Sequence, residues 1–152
     1  MLMLLFRLGN SRYAVPAREV VEITSMVELE VLPKTPDYVA GLFNYHGQHV
    51  PVLDLCRLLN GKPCSNRMTT RMIIVEFPLA AGGTRTLGLL AEQVTETLQL
   101  DEQAFTDTGI AIPDAPFIGH AAHTDQGLVQ QLSVTRLVPP EVQAQLYPAE
   151  AG

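Results

Sequence analysis

The feature that most restricts the fold is a pair of apolar runs separated by a tight turn. Residues 39–43 (Val-Ala-Gly-Leu-Phe) and 49–53 (His-Val-Pro-Val-Leu) flank the turn 44–47 (Asn-Tyr-His-Gly), and Asp54 follows the second run directly. Apolar strands joined by a turn that ends in Gly are typical of a β-hairpin, and Asp is a preferred N-cap of a helix. We therefore predict two strands, a turn whose side chains face a partner, and a short helix capped by Asp54. Pro51 cannot donate to a sheet ladder, so the second strand should lie at an edge or contain a bulge.

Short strands separated by Gly, Pro and Asn signals continue along the rest of the chain. About ten strands are predicted in all, at residues 2–8, 12–16, 20–26, 39–43, 48–53, 72–77, 85–90, 92–98, 118–122 and 128–133. Helices are expected at 54–59 and at 140–147, and residues 101–116 are expected to be a loop. This pattern favours a β-sandwich or barrel. We expect residues 1–152 to form one domain of two closely packed halves, with 148–152 as a disordered tail.

Composition narrows the classes of partner. The chain has 152 residues, of which 47% are hydrophobic and 17% charged, so it is more apolar than an average domain. Either part of the surface is given to interfaces, or the β core is unusually full. The formal net charge of −6 and the lack of any Lys/Arg run argue against a nucleic-acid partner.

The N-terminal segment and the apolar runs predict a cytoplasmic protein. Residues 1–6 are apolar, but they lack a basic flank and a cleavage-like site, and Arg7 follows too soon for a signal peptide. The apolar runs are all shorter than a membrane span, so we expect no direct membrane insertion.

The cysteines and histidines are the candidate metal ligands. Cys56 and Cys64 are the only cysteines, their spacing is not that of a zinc site, and both are expected to be reduced thiols. Two H-x-x-H pairs occur, His46/His49 and His120/His123. Residues three apart on a strand point to opposite faces, so surface or turn histidines are favoured over a shared metal site. We expect no metal and no cofactor.

Motifs for catalysis are missing from the sequence. It contains no G-x-S-x-G elbow, P-loop, G-x-G-x-x-G or H-E-x-x-H. We therefore expect no enzyme activity and no catalytic residues. A small metal-dependent hydrolase remains an alternative, and it would need the histidine pairs to converge with a carboxylate such as Asp125.

Five segments, in order, resemble the CheW-like family of chemotaxis coupling domains. The hairpin segment 41–55 resembles the family hallmark G-x-x-N-L-R-G-x-x-x-P-V-x-D-L. The other four are Phe6-x-Leu8 with Tyr13-Ala14-Val15-Pro16 and Val20-Val21-Glu22-Ile23; Leu32-Pro33-x-x-Pro36; 71–76, similar to T-R-I-I-V-V; and 87–94, similar to G-L-L-V-D-x-V. The resemblance covers nearly the whole chain.

The resemblance implies a fold and a function. CheW-like domains consist of two small five-stranded SH3-like β-barrels packed over a shared hydrophobic core. The implied function is a non-catalytic adaptor between the cytoplasmic tip of a chemoreceptor and the regulatory domain of a CheA-type histidine kinase. A structural interaction module without a kinase partner remains an alternative.

The resemblance also implies two sets of contact residues. The kinase-binding set is Val20, Gly41, Asn44 and Tyr45, and the receptor-binding set is Glu22, His46, Gly88 and Val94. Core packing is the alternative role for the two valines, and a backbone requirement is the alternative for the two glycines.

The chain departs from the family pattern at informative positions. Tyr45 replaces the Leu of the hallmark, and His46 replaces its Arg, which in the family can pair with the Glu that matches Glu22. We expect a Glu22–His46 pair to be weaker than one with Arg and to depend on pH. Gln131 and Ser133 lie where the family has an apolar strand and an Asp, although Ser133 can still cap the next helical turn. These departures raise the prospect of a specialised relative that serves a separate receptor array.

Overall fold

The computed structural model describes residues 2–65, 67–94 and 96–148. The strands in this part of the chain are β1 (Leu2–Leu8), β2 (Ser11–Pro16), β3 (Val20–Ser25), β4 (Val39–Tyr45), β5 (Gln48–Asp54), β6 (Arg71–Pro78), β7 (Thr84–Ala91), β8 (Glu96–Gln99), β9 (Thr106–Asp107), β10 (His120–Thr124) and β11 (Gly127–Gln131). The α-helices are α1 (Leu55–Asn60) and α2 (Pro140–Leu146), and short 3-10 turns lie at Ala17–Glu19, Glu102–Ala104 and Val134–Arg136.

The strands form two sheets. A six-stranded sheet has the order β8-β1-β2-β11-β10-β9, and a five-stranded sheet has the order β3-β6-β7-β5-β4. Neighbours pair antiparallel except at β2–β11 and β5–β7, which are parallel. The sixth strand of the first sheet is the two-residue β9, which lies in the region predicted as a loop. The predicted mainly β fold, two small β-barrels packed over a shared core, is confirmed, and the first sheet adds β9 to the five strands predicted for it.

A large core lies between the two sheets. Alternate residues of β1 (Leu4, Phe6 and Leu8) and of β6 (Ile73, Val75 and Phe77) pack into this shared core. Each fully buried side chain of this kind stabilises the fold by roughly 1.5–3 kcal/mol. The shared core is therefore what holds the two sheets together.

Each sheet also encloses a smaller core on its other face. The remaining inward positions of β1, Met3 and Leu5, pack with Ala14, Phe105, Ala122 and Val129. On the second sheet, Met72 and Ile74 pack with Val52 and Leu90. Because residues 3–6 of β1 and 72–75 of β6 are buried on both faces, each segment is a continuous apolar run rather than an alternating one.

The hairpin runs directly into α1, as predicted. Asp54 caps the helix, with its Oδ1 accepting from Arg57 N at 3.1 Å, and Gly61 ends the helix at φ 78°. Pro51 lies opposite Leu42 on β4, just before β5 gains β7 as a second neighbour at Val52. β5 is an inner strand between β7 and β4, and the register shift of its ladder is in β4, so the prediction of an edge or bulged strand is wrong. The strand can accept Pro51 because its second ladder begins one residue later.

The C-terminal expectations have mixed outcomes. The predicted terminal helix is confirmed as α2. Ser133 precedes the turn Val134–Arg136, but its side chain makes no capping bond and lies 3.2 Å from Thr135 Oγ1, so the predicted cap is wrong. Of the predicted tail 148–152, only Pro148 falls within the described residues. In the part of the chain that the structure describes, no helix is long and apolar enough to cross a membrane.

The prediction of two free thiols is wrong. Cys56 and Cys64 form a disulfide, with their Cα atoms 5.1 Å apart. Cys56 lies in the first turn of α1, and the chain folds back after Gly61, which brings Cys64 alongside it. The spacing of eight residues did not reveal this approach, because it depends on the end of the helix rather than on local pattern.

Candidate partner-binding surface

The hairpin turn is a tight two-residue connection between β4 and β5. Tyr45 pairs with Gln48 at the end of the ladder, and His46 and Gly47 take positive φ values of 51° and 85°. This is the backbone of the turns that match the twist of a hairpin. Asn44 fixes the turn from the side, because its Oδ1 accepts from Gly47 N at 2.9 Å. The predicted contact residue Asn44 therefore has a structural task in the turn as well.

Tyr45 connects the two edges of the five-stranded sheet. Its hydroxyl donates a hydrogen bond to Glu22 Oε2, although Glu22 is on β3 and Tyr45 on β4, the first and last strands in the sheet order. The hydrogen bond and the negative charge of Glu22 raise the pKa of the Tyr45 phenol above 10. The phenol therefore stays protonated across the neutral range, and the sheet is closed at the surface by a polar bridge.

The expected Glu22–His46 pair is replaced by this bridge. His46 contacts the Tyr45 ring edge-on, with ring centroids 4.3 Å apart. Among the described residues, no ion pair joins His46 to Glu22. The left-handed turn holds the imidazole against Tyr45, and the longer tyrosine side chain reaches Glu22 instead. Tyr45, Glu22 and His46 thus form one exposed patch, called here the hairpin patch, although prediction divided them between two partners.

The two glycines of the predicted sites are buried and serve packing. A Cβ on Gly41, which has φ 149°, would lie 2.3 Å from Glu30 O. A Cβ on Gly88 would lie 3.0 Å from Val52 Cγ2 and 3.2 Å from Met72 Sδ. Both positions require close approach of neighbouring atoms. Gly41 and Gly88 therefore shape the sheet beneath the hairpin patch, and neither has a side chain to offer a partner.

The two valines lie at the border between surface and core. Val20 begins β3 and Val94 follows β7, and each is partly buried against the shared core. Val94 N also donates to Thr69 O at 3.1 Å, which ties the end of β7 to the segment before β6. The structure places Val20 two residues from Glu22, whereas Val94 and Gly88 are not part of the hairpin patch.

Exposed apolar side chains flank Glu22 on β3 and continue in the segment after this strand, and sequence reasoning missed them. Val21 and Ile23 are 50% and 42% exposed, and the next stretch adds Val27 and Val31 at 43% and 77%. The register shifts between Val20 and Glu22, so the simple alternation that would bury Val21 and Ile23 fails. The available signal in the sequence was that Val21 and Ile23 flank the charged Glu22 on one short strand. Apolar side chains grouped around a polar bridge are typical of a protein-binding surface.

The hydrolase alternative finds no assembled site in the described residues. An open cavity of about 720 Å³ is lined by the loop 107–120 and includes His120, but neither His123 nor Asp125 lines it. The set of possible metal ligands that does converge is Asp54, Cys56 and Cys64, and it contains no histidine.

Comparison with known proteins identifies the family. Residues 2–141 match the model of the CheW-like domain, and the chain belongs to this family. It is 32% identical over 89 residues to Protein FrzA of Myxococcus xanthus, an alignment covering 59% of this chain and 52% of that protein. It is 30% identical over 97 residues to Chemotaxis protein CheW of Klebsiella aerogenes, covering 64% of this chain and 55% of that protein. The matched segments thus span about half the length of these relatives.

Two further comparisons concern a third relative and a solved structure. Protein PilI of Pseudomonas aeruginosa is 31% identical over 71 residues, covering 47% of this chain and 40% of that protein. The crystal structure of scaffolding protein TtCheW from Thermoanaerobacter tengcongensis superposes with a TM-score of 0.77 at 24% identity, over 91% of this chain and 89% of that one. The arrangement of two sheets over a shared core is therefore the fold of a CheW protein.

Proposed function

We propose that this chain is a non-catalytic, cytoplasmic signalling adaptor that couples a chemoreceptor of the methyl-accepting type to a CheA-type histidine kinase. The observation that carries the proposal is the match of residues 2–141 to the CheW-like domain, together with a hallmark hairpin that ends in an exposed patch. Residues 1–152 act as one CheW-like domain. The similarity to Chemotaxis protein CheW supports a chemotaxis coupler, and the similarity to FrzA and PilI supports one that serves a specialised pathway.

The mechanism is linkage between binding events. An adaptor that holds receptor and kinase in one assembly lets a change in the receptor alter kinase activity, provided that the two states differ in contact energy. Val20, Gly41, Asn44 and Tyr45 are assigned to face or shape the kinase contact, with Gly41 acting through the sheet beneath it. Glu22, His46, Gly88 and Val94 are assigned to border the receptor-binding groove, with Gly88 acting through packing.

The hairpin patch suggests that the two sides share a border. Tyr45, from the kinase set, donates to Glu22, from the receptor set, and touches His46. A partner that displaced Glu22 from Tyr45 would free the phenol for the other partner. Direct contact between the two sets is thus a route for coupling.

The test is binding of the purified chain to the regulatory domain of a CheA-type kinase and to a receptor cytoplasmic fragment, measured by calorimetry. Aromatic residues are enriched among interface anchors, so Tyr45→Ala should weaken kinase binding on the order of ten- to a hundredfold. Leu128→Ala is the matched control, because Leu128 is 48% exposed on β11 of the other sheet. Unchanged affinity in a folded Tyr45→Ala chain would remove Tyr45 from the interface, and no binding of any kinase domain would leave the structural-module alternative.

A further inference from the structure

The disulfide joins the start of α1 to the segment that leads into β6. Cys56 is in the first turn of the helix, and Cys64 lies in the mostly exposed stretch 61–65. Their Cα separation of 5.1 Å lies within the range normal for disulfides. The bond therefore closes a short loop at the surface, next to the end of β5.

Hydrogen bonds hold the same loop without help from the bond. The buried carboxylate of Asp54 accepts from Arg57 N at 3.1 Å and from Cys64 N at 3.0 Å. Glu92 Oε1 accepts from Ser65 N at 2.8 Å. These contacts keep the two cysteines adjacent whether or not their sulfurs are joined.

The surroundings of the sulfurs fit the dithiol as well as the disulfide. Cys56 Sγ lies 3.6 Å from Glu92 Oε1, and Cys64 Sγ lies 3.6 Å from Leu90 O. Each thiol would thus find an acceptor when reduced. Both acceptors also have other partners, since Ser65 N donates to Glu92 and Leu90 is paired within the sheet. They are therefore not left without a partner when the sulfurs are oxidised.

The two sulfurs differ in access. Cys56 is only 4% exposed, whereas Cys64 is partly exposed. Thiol–disulfide exchange requires the attacking thiolate to reach a sulfur directly, so access selects the reactive partner. Cys64 is therefore the entry point, the sulfur at which an external reagent reacts first, and Cys56 is placed to resolve the mixed disulfide.

We propose that Cys56 and Cys64 form a reversible thiol–disulfide site that exchanges with small disulfides of the glutathione class. In oxidation, the Cys64 thiolate attacks the small disulfide, forms a mixed disulfide and releases one small thiol. The Cys56 thiolate then attacks Cys64 Sγ, forms the intramolecular bond and releases the second small thiol. Two protein thiols and one small disulfide thus give one protein disulfide and two small thiols, and the protein donates two electrons.

The site is connected to the hairpin patch through packing. Cys64 packs against the small core of the five-stranded sheet, together with Phe43 and Tyr45 of β4. Oxidation would fix Cys64 in this cluster and restrain the segment 61–65. The exchange chemistry itself does not depend on which partner the domain binds, so it can fail or succeed separately from the proposed function.

The experiment uses the full chain equilibrated in mixtures of reduced and oxidised glutathione, then quenched with a maleimide and weighed by mass spectrometry. We expect a transition from two labelled thiols to none within millimolar glutathione mixtures. The oxidised chain should melt about 5–10 °C above the reduced one, because a short closed loop restricts the unfolded chain.

Single variants assign the entry sulfur. Cys56→Ser should accumulate one glutathione on Cys64, whereas Cys64→Ser should react on the order of tenfold more slowly at the buried Cys56. Equal rates would overturn the assignment of Cys64 as the entry point. Two thiols that stay labelled in every mixture, or a disulfide that glutathione never reduces in the folded chain, would overturn the proposal. Binding of one zinc per reduced chain that blocks the exchange would also overturn it, because Asp54 and the two sulfurs would then be metal ligands.

Discussion

Gly41→Ala should destabilise the fold far more than Gly47→Ala, although both glycines belong to the hairpin. The added methyl at Gly41 would meet Glu30 O at 2.3 Å and Leu29 Cβ at 3.1 Å. Glu30 cannot move away freely, because it exchanges two 2.8 Å backbone hydrogen bonds with Leu42. At Gly47 the methyl would meet nothing within 4 Å. Only Gly41 therefore combines an unfavourable positive φ with a collision.

The size of the difference follows from the collision alone, because the positive φ strains alanine at both positions. Forcing an extra methyl into a packed site typically destabilises by about 1–3 kcal/mol. For a chain of this size, that lowers the Tm of Gly41→Ala by about 2–12 °C relative to Gly47→Ala. Thermal unfolding followed by circular dichroism gives both values. Equal Tm values for the two variants would refute the reasoning, and Gly41 would then have to be explained as a contact residue.

Two further variants test partly buried ionisable groups. Burial raises the pKa of the Glu19 carboxyl, and the charge of Arg18 lowers it by less. The stability that the protonated carboxyl contributes is fully present below pH 4.5, and it is lost as pH rises through the raised pKa of the folded chain. Glu19→Gln should therefore melt above wild type at pH 7 and level with it at pH 4, and a lower Tm at pH 7 would contradict this. Burial also raises the pKa of Tyr147, which donates to Thr86 O at 2.7 Å, so wild-type stability should fall above pH 10 as the unfolded chain ionises first. In urea titrations, Tyr147→Phe should remove part of that alkaline loss of stability, and it should lower the free energy of unfolding at pH 7 by about 0.5–1.5 kcal/mol. An unchanged alkaline slope would exclude Tyr147 as its source.

Local signals in the sequence were sufficient for most elements of the fold. Asp54 and Gly61 bound α1 because capping depends on a few neighbouring residues. The prediction of a strand at 92–98 was only partly right, since β8 begins at Glu96. Gln93 takes a positive φ of 48° there, and a non-glycine residue in that conformation gives little warning in a sequence.

Contacts between distant residues could not be predicted in the same way. The resemblance correctly suggested that Glu22 has a partner in the hairpin turn, but it pointed to His46. A match of sequence positions contains no information on how far each side chain reaches. Tyr45 reaches Glu22 across the open edges of the sheet, at a separation of 23 residues. The bulge beside Glu22 similarly changes which side chains of β3 are exposed, and it arises from pairing with β6.

Double-mutant cycles distinguish the two possible partners of Glu22. If the Tyr45 hydroxyl orients Glu22 for receptor binding, Tyr45→Phe and Glu22→Gln remove the same feature. Their effects on the dissociation constant for a receptor cytoplasmic fragment should then be non-additive by at least about twofold. His46→Ala, combined with Glu22→Gln, is the matched control and should be additive, because His46 contacts Tyr45 through its ring and not Glu22.

The pH dependence of the same affinities gives an independent result. The hydrogen bond to Glu22 raises the pKa of the Tyr45 phenol above its usual value, so the phenol remains a hydrogen-bond donor across the neutral range. Tyr45→Phe should therefore weaken receptor binding by the same factor at every pH within it. Coupling confined to the Glu22/His46 cycle would show that the partner-bound domain uses the imidazole and that the tyrosine bridge belongs to the free domain alone.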